Sequence, residues 1–249
     1  MSEGAGSLRR VQNTLTLANI LDDAAFLSLE HQLHLEDVLG AHNWSVDLQE
    51  QRFGFDGERP IQCTRFHLLG SAAPGPGSWL WAWANSSIPE PVTELSASLR
   101  DFGAKYGIAE LADAEIPFGR LPGAQGDPNL VASVFLEAAK AITGNWTSYT
   151  GDIGGGTRAA FLIEHPDFRL PAPEPARVMR VLQQGLALRL HDHRRALWSY
   201  AQRRGLSAAV APEDGSFHFS FPGFTATVGF DELNRISGIK GTMQGQQQD

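Results

Sequence analysis

Residues 78–85 have the sequence Ser-Trp-Leu-Trp-Ala-Trp-Ala-Asn, with tryptophan at three alternate positions. Because side chains alternate between the two faces of a β-strand, this spacing predicts a strand with Trp79, Trp81 and Trp83 on one face. Three packed tryptophans bury on the order of 600 Å², which matches the largest apolar patches that soluble monomers expose. We therefore expect the three rings to belong to a hydrophobic core, with an exposed binding surface as the alternative.

The composition excludes several classes of protein. The chain has 249 residues, of which 42% are hydrophobic, enough for a sizeable core in one large domain or two small ones. A net charge of −8 argues against a general nucleic-acid or membrane-surface partner. Cys63 is the only cysteine, which excludes an internal disulfide and fits a reducing compartment. We expect a cytoplasmic protein without a signal peptide or membrane span.

Hydrophobic periodicity and turn residues predict the elements of the N-terminal two thirds. A helix over 22–41 precedes four strand candidates joined by short connections, which favour an antiparallel meander. Two more helices and a hairpin around a glycine-rich loop follow. The strands are predicted at 44–48, 52–55, 61–69 and 78–85, the helices at 89–106 and 129–143, and the hairpin at 146–150 and 158–164.

The C-terminal third is predicted as one long helix, 176–204, followed by four short strands at 206–211, 217–221, 224–230 and 235–240. This order, a helix and then four strands, repeats the order of residues 22–85. It is compatible with a degenerate duplication. The predicted fold class is α+β, with antiparallel β-meander sheets packed against helices.

The proline-rich stretch 166–175 is the predicted domain boundary. It divides the chain into a unit over 22–168 and a helix-plus-sheet unit over 174–243. Residues 1–21 are predicted to be an N-terminal tail and residues 244–249 a disordered C-terminal tail.

The tryptophan-rich strand resembles that of a bacterial family known only as a domain of unknown function. The resemblance extends over about residues 22–168. It includes the segment Trp-Ser-Val-Asp-Leu at 44–48, Leu69-Gly70, and the sequence Tyr-Gly-Ile at 106–108. The resemblance implies a domain boundary near residue 168. It implies no reaction, ligand or catalytic residue, because the family has no established function.

Motifs for catalysis or metal binding are weak throughout. Cys63 and His67 fall on one face of a predicted strand, but four residues at about 3.3 Å each separate them by about 13 Å, too far for a nucleophile and its base. His31, His34 and Asp37 have helical spacing but no metal-binding motif around them. We therefore predict no metal and no cofactor, and we assign no catalytic residue.

The leading hypothesis from the sequence is a non-enzymatic cytoplasmic binding or interaction protein with an aromatic-rich sheet. Its partner would be a protein or a small molecule. Trp81, Trp83 and Asn85 are the candidate binding residues, because the rings offer contact area and the amide both donates and accepts hydrogen bonds. Two alternatives stay open. One is an enzyme with a cleft between sheet and helices built from dispersed His, Asp and Glu. The other is a structural or protein-partner module with a protective, immunity-like role.

Overall fold

The computed structural model describes residues 15–121, 123–124 and 126–243, and it confirms the α+β fold with antiparallel sheets. The predicted tails over 1–14 and 244–249 lie outside the described residues. The helices are α1 (Leu17–Leu39), α2 (Glu90–Tyr106), α3 (Ala109–Ala112), α4 (Pro128–Thr143), α5 (Pro175–Gln184) and α6 (His193–Arg204). The strands are β1 (His42–Asp47), β2 (Arg52–Gly57), β3 (Ile61–Gln62), β4 (Arg65–Ala73), β5 (Ser78–Trp81), β6 (Glu115–Pro117), β7 (Ser148–Asp152), β8 (Arg158–Glu164), β9 (Ser207–Val210), β10 (Phe217–Phe221), β11 (Phe224–Phe230) and β12 (Ile236–Met243).

Helix α1 begins five residues earlier than predicted, so the expected tail is wrong over residues 17–21. The cause is a capping box. The Thr16 side chain accepts a hydrogen bond from the Asn19 backbone N–H, and the Asn19 side chain accepts one from the Thr16 backbone N–H. The helix ends before Gly40, whose φ of 56° is readily adopted by glycine.

The predicted four-strand meander is wrong, because its strands divide between two sheets. Strands β1, β2 and β3 form one sheet, whereas the central sheet has the order β6-β5-β4-β8-β7. The chain changes sheet between two adjacent residues: Cys63 N–H donates to Phe53 O in the first sheet, and Thr64 N–H donates to Glu164 O in the central sheet. The predicted β7–β8 hairpin is confirmed.

The predicted long helix over 176–204 is also wrong, because α5 and α6 are separate. At Gly185 the backbone approaches the Phe26 ring so closely that a Cβ there would lie 2.3 Å from a ring carbon. Helix α6 then starts anew, with the Asp192 carboxylate accepting the backbone N–H of Arg195 as its N-cap. The four predicted C-terminal strands are confirmed as one meander, β12-β11-β10-β9. A duplication is not supported, since the first four strands do not form a matching sheet.

Helix α1 contributes to all three hydrophobic cores. Ile20 packs in the core of the central sheet, Phe26 in that of the C-terminal sheet, and Leu35 in that of the β1–β3 sheet. The fully buried Glu30 also pairs with Arg204 of α6, with 2.9 Å between Oε2 and Nε. Helix α1 is therefore shared by both predicted units, and the boundary near residue 168 stays a prediction.

Candidate functional site

Two of the three alternate tryptophans form the centre of the main core, as expected. Trp79 and Trp81 are completely buried, and their rings meet edge to face with centroids 5.4 Å apart. Both pack on Phe135 of α4, at 4.6 and 4.9 Å. The Trp81 indole N–H donates to the backbone oxygen of Glu110 at 3.1 Å, which satisfies the polar end of the ring.

The third tryptophan packs against the same core but lies beyond the end of the strand, which corrects the prediction of one strand face with three tryptophans. Strand β5 ends at Trp81, and residues 82–84 form a 3₁₀ turn. Trp83 is half-buried, with the Arg100 guanidinium 5.2 Å from its ring centroid. Asn85 Oδ1 accepts hydrogen bonds from the Ser87 backbone N–H and hydroxyl. Because Trp81 exposes no surface, a ligand cannot reach its ring in this conformation. A binding role for Trp83 and Asn85 stays a prediction.

A concave site with a large apolar surface lies elsewhere, between α1 and α4. This α1–α4 cavity has a volume of about 530 Å³. Its walls come from α1, residues 123–124, α4, strand β7 and the segment 188–191. Most of the surface exposed inside it is apolar and comes from Leu21, Ala25, Leu29, Leu130, Val134, Leu136, Leu188 and Leu190. A second cavity of about 300 Å³ shares Leu21, Val134 and His191 with it and extends toward Leu17 and Ile108.

A buried polar cluster of Ser28, Glu137 and Lys140 borders the α1–α4 cavity. Lys140 Nζ donates to Ser28 Oγ at 2.6 Å and to Glu137 Oε1 at 3.0 Å, and the serine hydroxyl donates to Glu137 Oε1 at 2.6 Å. Lys140 is only 3% exposed. Glu137 Oε2 is also buried, and within the described ranges it has no hydrogen-bond partner.

This cluster suits binding better than nucleophilic catalysis. The Ser28 hydroxyl donates its hydrogen to Glu137 Oε1, so the hydroxyl is not directed at Lys140 as a nucleophile would be at its base. Ser28 lies inside α1, where backbone N–H groups are engaged in helical hydrogen bonds and are not free to stabilise an oxyanion. The Lys140–Glu137 ion pair instead gives the cavity a polar patch whose two charges compensate each other.

The segment 188–191 forms one wall and is fixed by a buried carboxylate. Asp22 of α1 is 1% exposed and accepts the backbone N–H groups of His191 and Asp192, each at 2.9 Å. Its burial raises its pKa above the ordinary value, although these two hydrogen bonds act in the opposite direction. On the same segment, Arg189 Nη1 donates to the backbone oxygen of Gly123 at 2.9 Å.

The remaining titratable candidates are not brought together. Cys63 lies between β3 and β4, so it does not share a regular strand with His67, and burial raises the pKa of its thiol to about 12. His31 stacks on Trp146, with centroids 6.2 Å apart, and burial lowers its pKa to about 3. Within residues 15–121, 123–124 and 126–243, no three His, Cys, Asp or Glu side chains are grouped so that they could hold a metal ion.

A family model described as "Family of unknown function (DUF6882)" matches residues 18–166. The chain belongs to this family. This confirms the resemblance noted from the tryptophan-rich strand. The DUF6882 match includes all segments that line the α1–α4 cavity except the segment 188–191, which lies beyond it. No curated protein and no solved structure matches the chain.

The sequence analysis missed this cavity, although α4 contains a signal for it. Leu130 and Val134 form an apolar stripe along this helix, yet they line the cavity and Leu130 is 40% exposed. Val131 and Phe135, one position further along, are the residues buried in the main core. A helix with apolar residues on two faces can pack only one of them on a sheet, so the other apolar face is available to line a cavity. A second sequence signal for the cavity is Lys140, a charged residue in the last turn of this mainly apolar helix.

Among the described residues, no helix has both the length and the apolar character needed to cross a membrane.

Proposed function

We propose that this DUF6882 protein is a non-enzymatic binding protein that holds a small amphipathic molecule in the α1–α4 cavity. The observation on which the proposal depends is the cavity itself. Its volume of about 530 Å³ lies within the range of about 300–1,000 Å³ typical of ligand sites. The surface exposed inside the cavity is mainly apolar, as is typical of such sites, and polar side chains such as Ser133, Ser148 and Thr150 also line it. A cytoplasmic location is part of the proposal and is supported by the single cysteine in 249 residues.

The arrangement of the walls supports a small molecule over a protein partner. The cavity is a concave, partly open cleft bordered by two helices, a strand and two loop segments, so a small ligand would contact several elements at once. Protein interfaces are instead broad, burying about 800 Å² on each partner. Of the two partners predicted from the sequence, a protein or a small molecule, we therefore propose the small molecule. The protective, protein-binding role is the alternative if the test below fails.

The test is binding of a neutral solvatochromic dye, Nile red, measured by fluorescence titration. Ala25→Phe places a ring in the cavity from the α1 wall. The matched control is Ala104→Phe, on the exposed surface of α2. We expect saturable 1:1 binding by the parent protein and by Ala104→Phe, and at least a tenfold loss of affinity in Ala25→Phe. Equal binding by both variants, with circular dichroism showing both folded, would refute the proposal.

A further inference from the structure

Positively charged side chains outnumber negatively charged ones around the α1–α4 cavity, and this difference indicates the chemical class of the ligand. Three strongly ionised side chains line it: Glu137, Lys140 and Arg189. The first two form an ion pair, with 3.0 Å between Oε1 and Nζ. Arg189 has no carboxylate within ion-pair distance in the part of the chain that the structure describes. The cavity therefore has one uncompensated positive charge, although the whole chain has a net charge of −8.

Arg189 is exposed to solvent at the cavity, and one hydrogen bond to the backbone fixes its guanidinium there. One of its five N–H donors is used by the Gly123 carbonyl at 2.9 Å. Its backbone belongs to the segment that Asp22 fixes through His191 and Asp192. The remaining N–H groups of the planar guanidinium can bind a carboxylate with two parallel hydrogen bonds.

The apolar surface next to Arg189 is long. Along α1 it extends from Leu17, in the second cavity, to Gln32, at the far end of the first. Fifteen residues at 1.5 Å each give a length of roughly 22 Å. Leu21 and Val134 line both cavities, so the two cavities are neighbours along α1. Such a shape favours an extended chain over a compact ring system.

We propose that the ligand is a soluble monocarboxylate with an extended apolar chain, bound with its carboxylate at Arg189 and its chain along α1. This inference rests on the proposed function. A carboxylate would compensate the charge of Arg189, whereas an ammonium head group would add to it. A cavity without this charge would prefer the neutral alcohol of the same chain length, because a carboxylate loses more hydration on binding.

The experiment is displacement of Nile red by three ligands that share a ten-carbon chain: decanoate, 1-decanol and decylammonium. We expect decanoate to bind at least as tightly as 1-decanol, and decylammonium to bind most weakly. Arg189→Gln should weaken decanoate by roughly fivefold or more, since it removes a charge-assisted hydrogen-bonding partner. The affinity for 1-decanol should change by less than twofold. Arg169→Gln, an exposed arginine outside the cavity, makes the same charge change and should leave all three affinities unaltered.

The possible failures are distinguishable. If the dye binds the cavity but 1-decanol displaces it better than decanoate, and Arg189→Gln affects both equally, the head-group assignment is overturned while the binding function stands. If Ala25→Phe leaves dye binding unchanged, the proposed function fails, whatever the ligands do. Co-sedimentation with anionic vesicles that is lost in Arg189→Gln, without displacement of dye by decanoate, would overturn the assignment to a soluble ligand.

Discussion

Replacing Trp81 by alanine tests the core on which the cavity helices depend. The Trp81 side chain is completely buried, and its ring contacts Trp79 and Phe135 with centroids 5.4 and 4.9 Å away. Truncating a buried aromatic residue to alanine costs about 3–5 kcal/mol. The substitution also removes the hydrogen bond to the Glu110 carbonyl, whose loss adds about 1 kcal/mol. We therefore expect a loss near the upper end of that range.

The assay is urea unfolding followed by far-UV circular dichroism, because removal of a tryptophan alters the fluorescence signal itself. The control is Trp198→Ala on α6, where the indole is 40% exposed and the expected loss is smaller. An unchanged m-value would show that stability, rather than the compactness of either state, has changed. A change within about 0.5 kcal/mol for Trp81→Ala is typical of a surface position and would refute the assignment of this ring to the core.

Three further predictions follow from close packing and buried charge. Gly151→Ala should destabilise the fold by about 1–3 kcal/mol, because the added Cβ would lie 1.9 Å from a carbon of the Trp44 ring. Glu30→Gln should cost about 3–5 kcal/mol, because it leaves the Arg204 guanidinium without its buried carboxylate. His31 should make stability fall as the pH falls from 6.5 toward 3. Its pKa in the fold is about 3, against an ordinary 6.5, so the unfolded chain binds the additional proton; at pH 5 the loss is about 2 kcal/mol.

Urea unfolding measures all three, and each has a control. Gly119→Ala places its Cβ where no atom lies within 4 Å, and Glu36→Gln changes an exposed carboxylate, so both should stay within about 0.5 kcal/mol of the parent. Equal effects of Gly151→Ala and Gly119→Ala, or of Glu30→Gln and Glu36→Gln, would contradict the packing described. For His31, the free energy of unfolding is measured at pH 7 and at pH 5 in the parent and in His31→Gln. If the loss between the two pH values is the same in both proteins, the buried, neutral state of His31 is contradicted.

Local sequence features predicted most elements, because their causes are local. Helix α2 follows from the proline at its start and its one-sided apolar pattern, and the β7–β8 hairpin follows from a glycine-rich turn between two apolar segments. The break between α5 and α6 could not be predicted in this way. The segment between the two helices is fixed by contacts with α1, among them the hydrogen bonds from His191 and Asp192 to Asp22, which is 169 positions from His191 in the sequence.

The candidate site was harder to predict than the fold, for the same physical reason. Ser28 and Lys140 are 112 positions apart, and their hydrogen bond exists only because α1 and α4 pack side by side. The tryptophan-rich strand was the most distinctive local feature, yet burial of Trp79 and Trp81 makes it a scaffold. A cavity formed by five separate segments has no linear motif, so hydrophobic periodicity indicates at most a helix face that is not packed on a sheet.

The measurement that tests the central claim most directly is a titration of ¹⁵N-labelled, deuterated protein with decanoate, followed by amide chemical shifts. The account predicts saturable shifts that cluster in three segments lining the α1–α4 cavity: residues 21–32, 130–140 and 188–191. Shifts clustered at residues 83–85 would instead indicate a binding site at the end of the tryptophan-rich segment. The absence of saturable shifts in these segments would contradict ligand binding in the cavity.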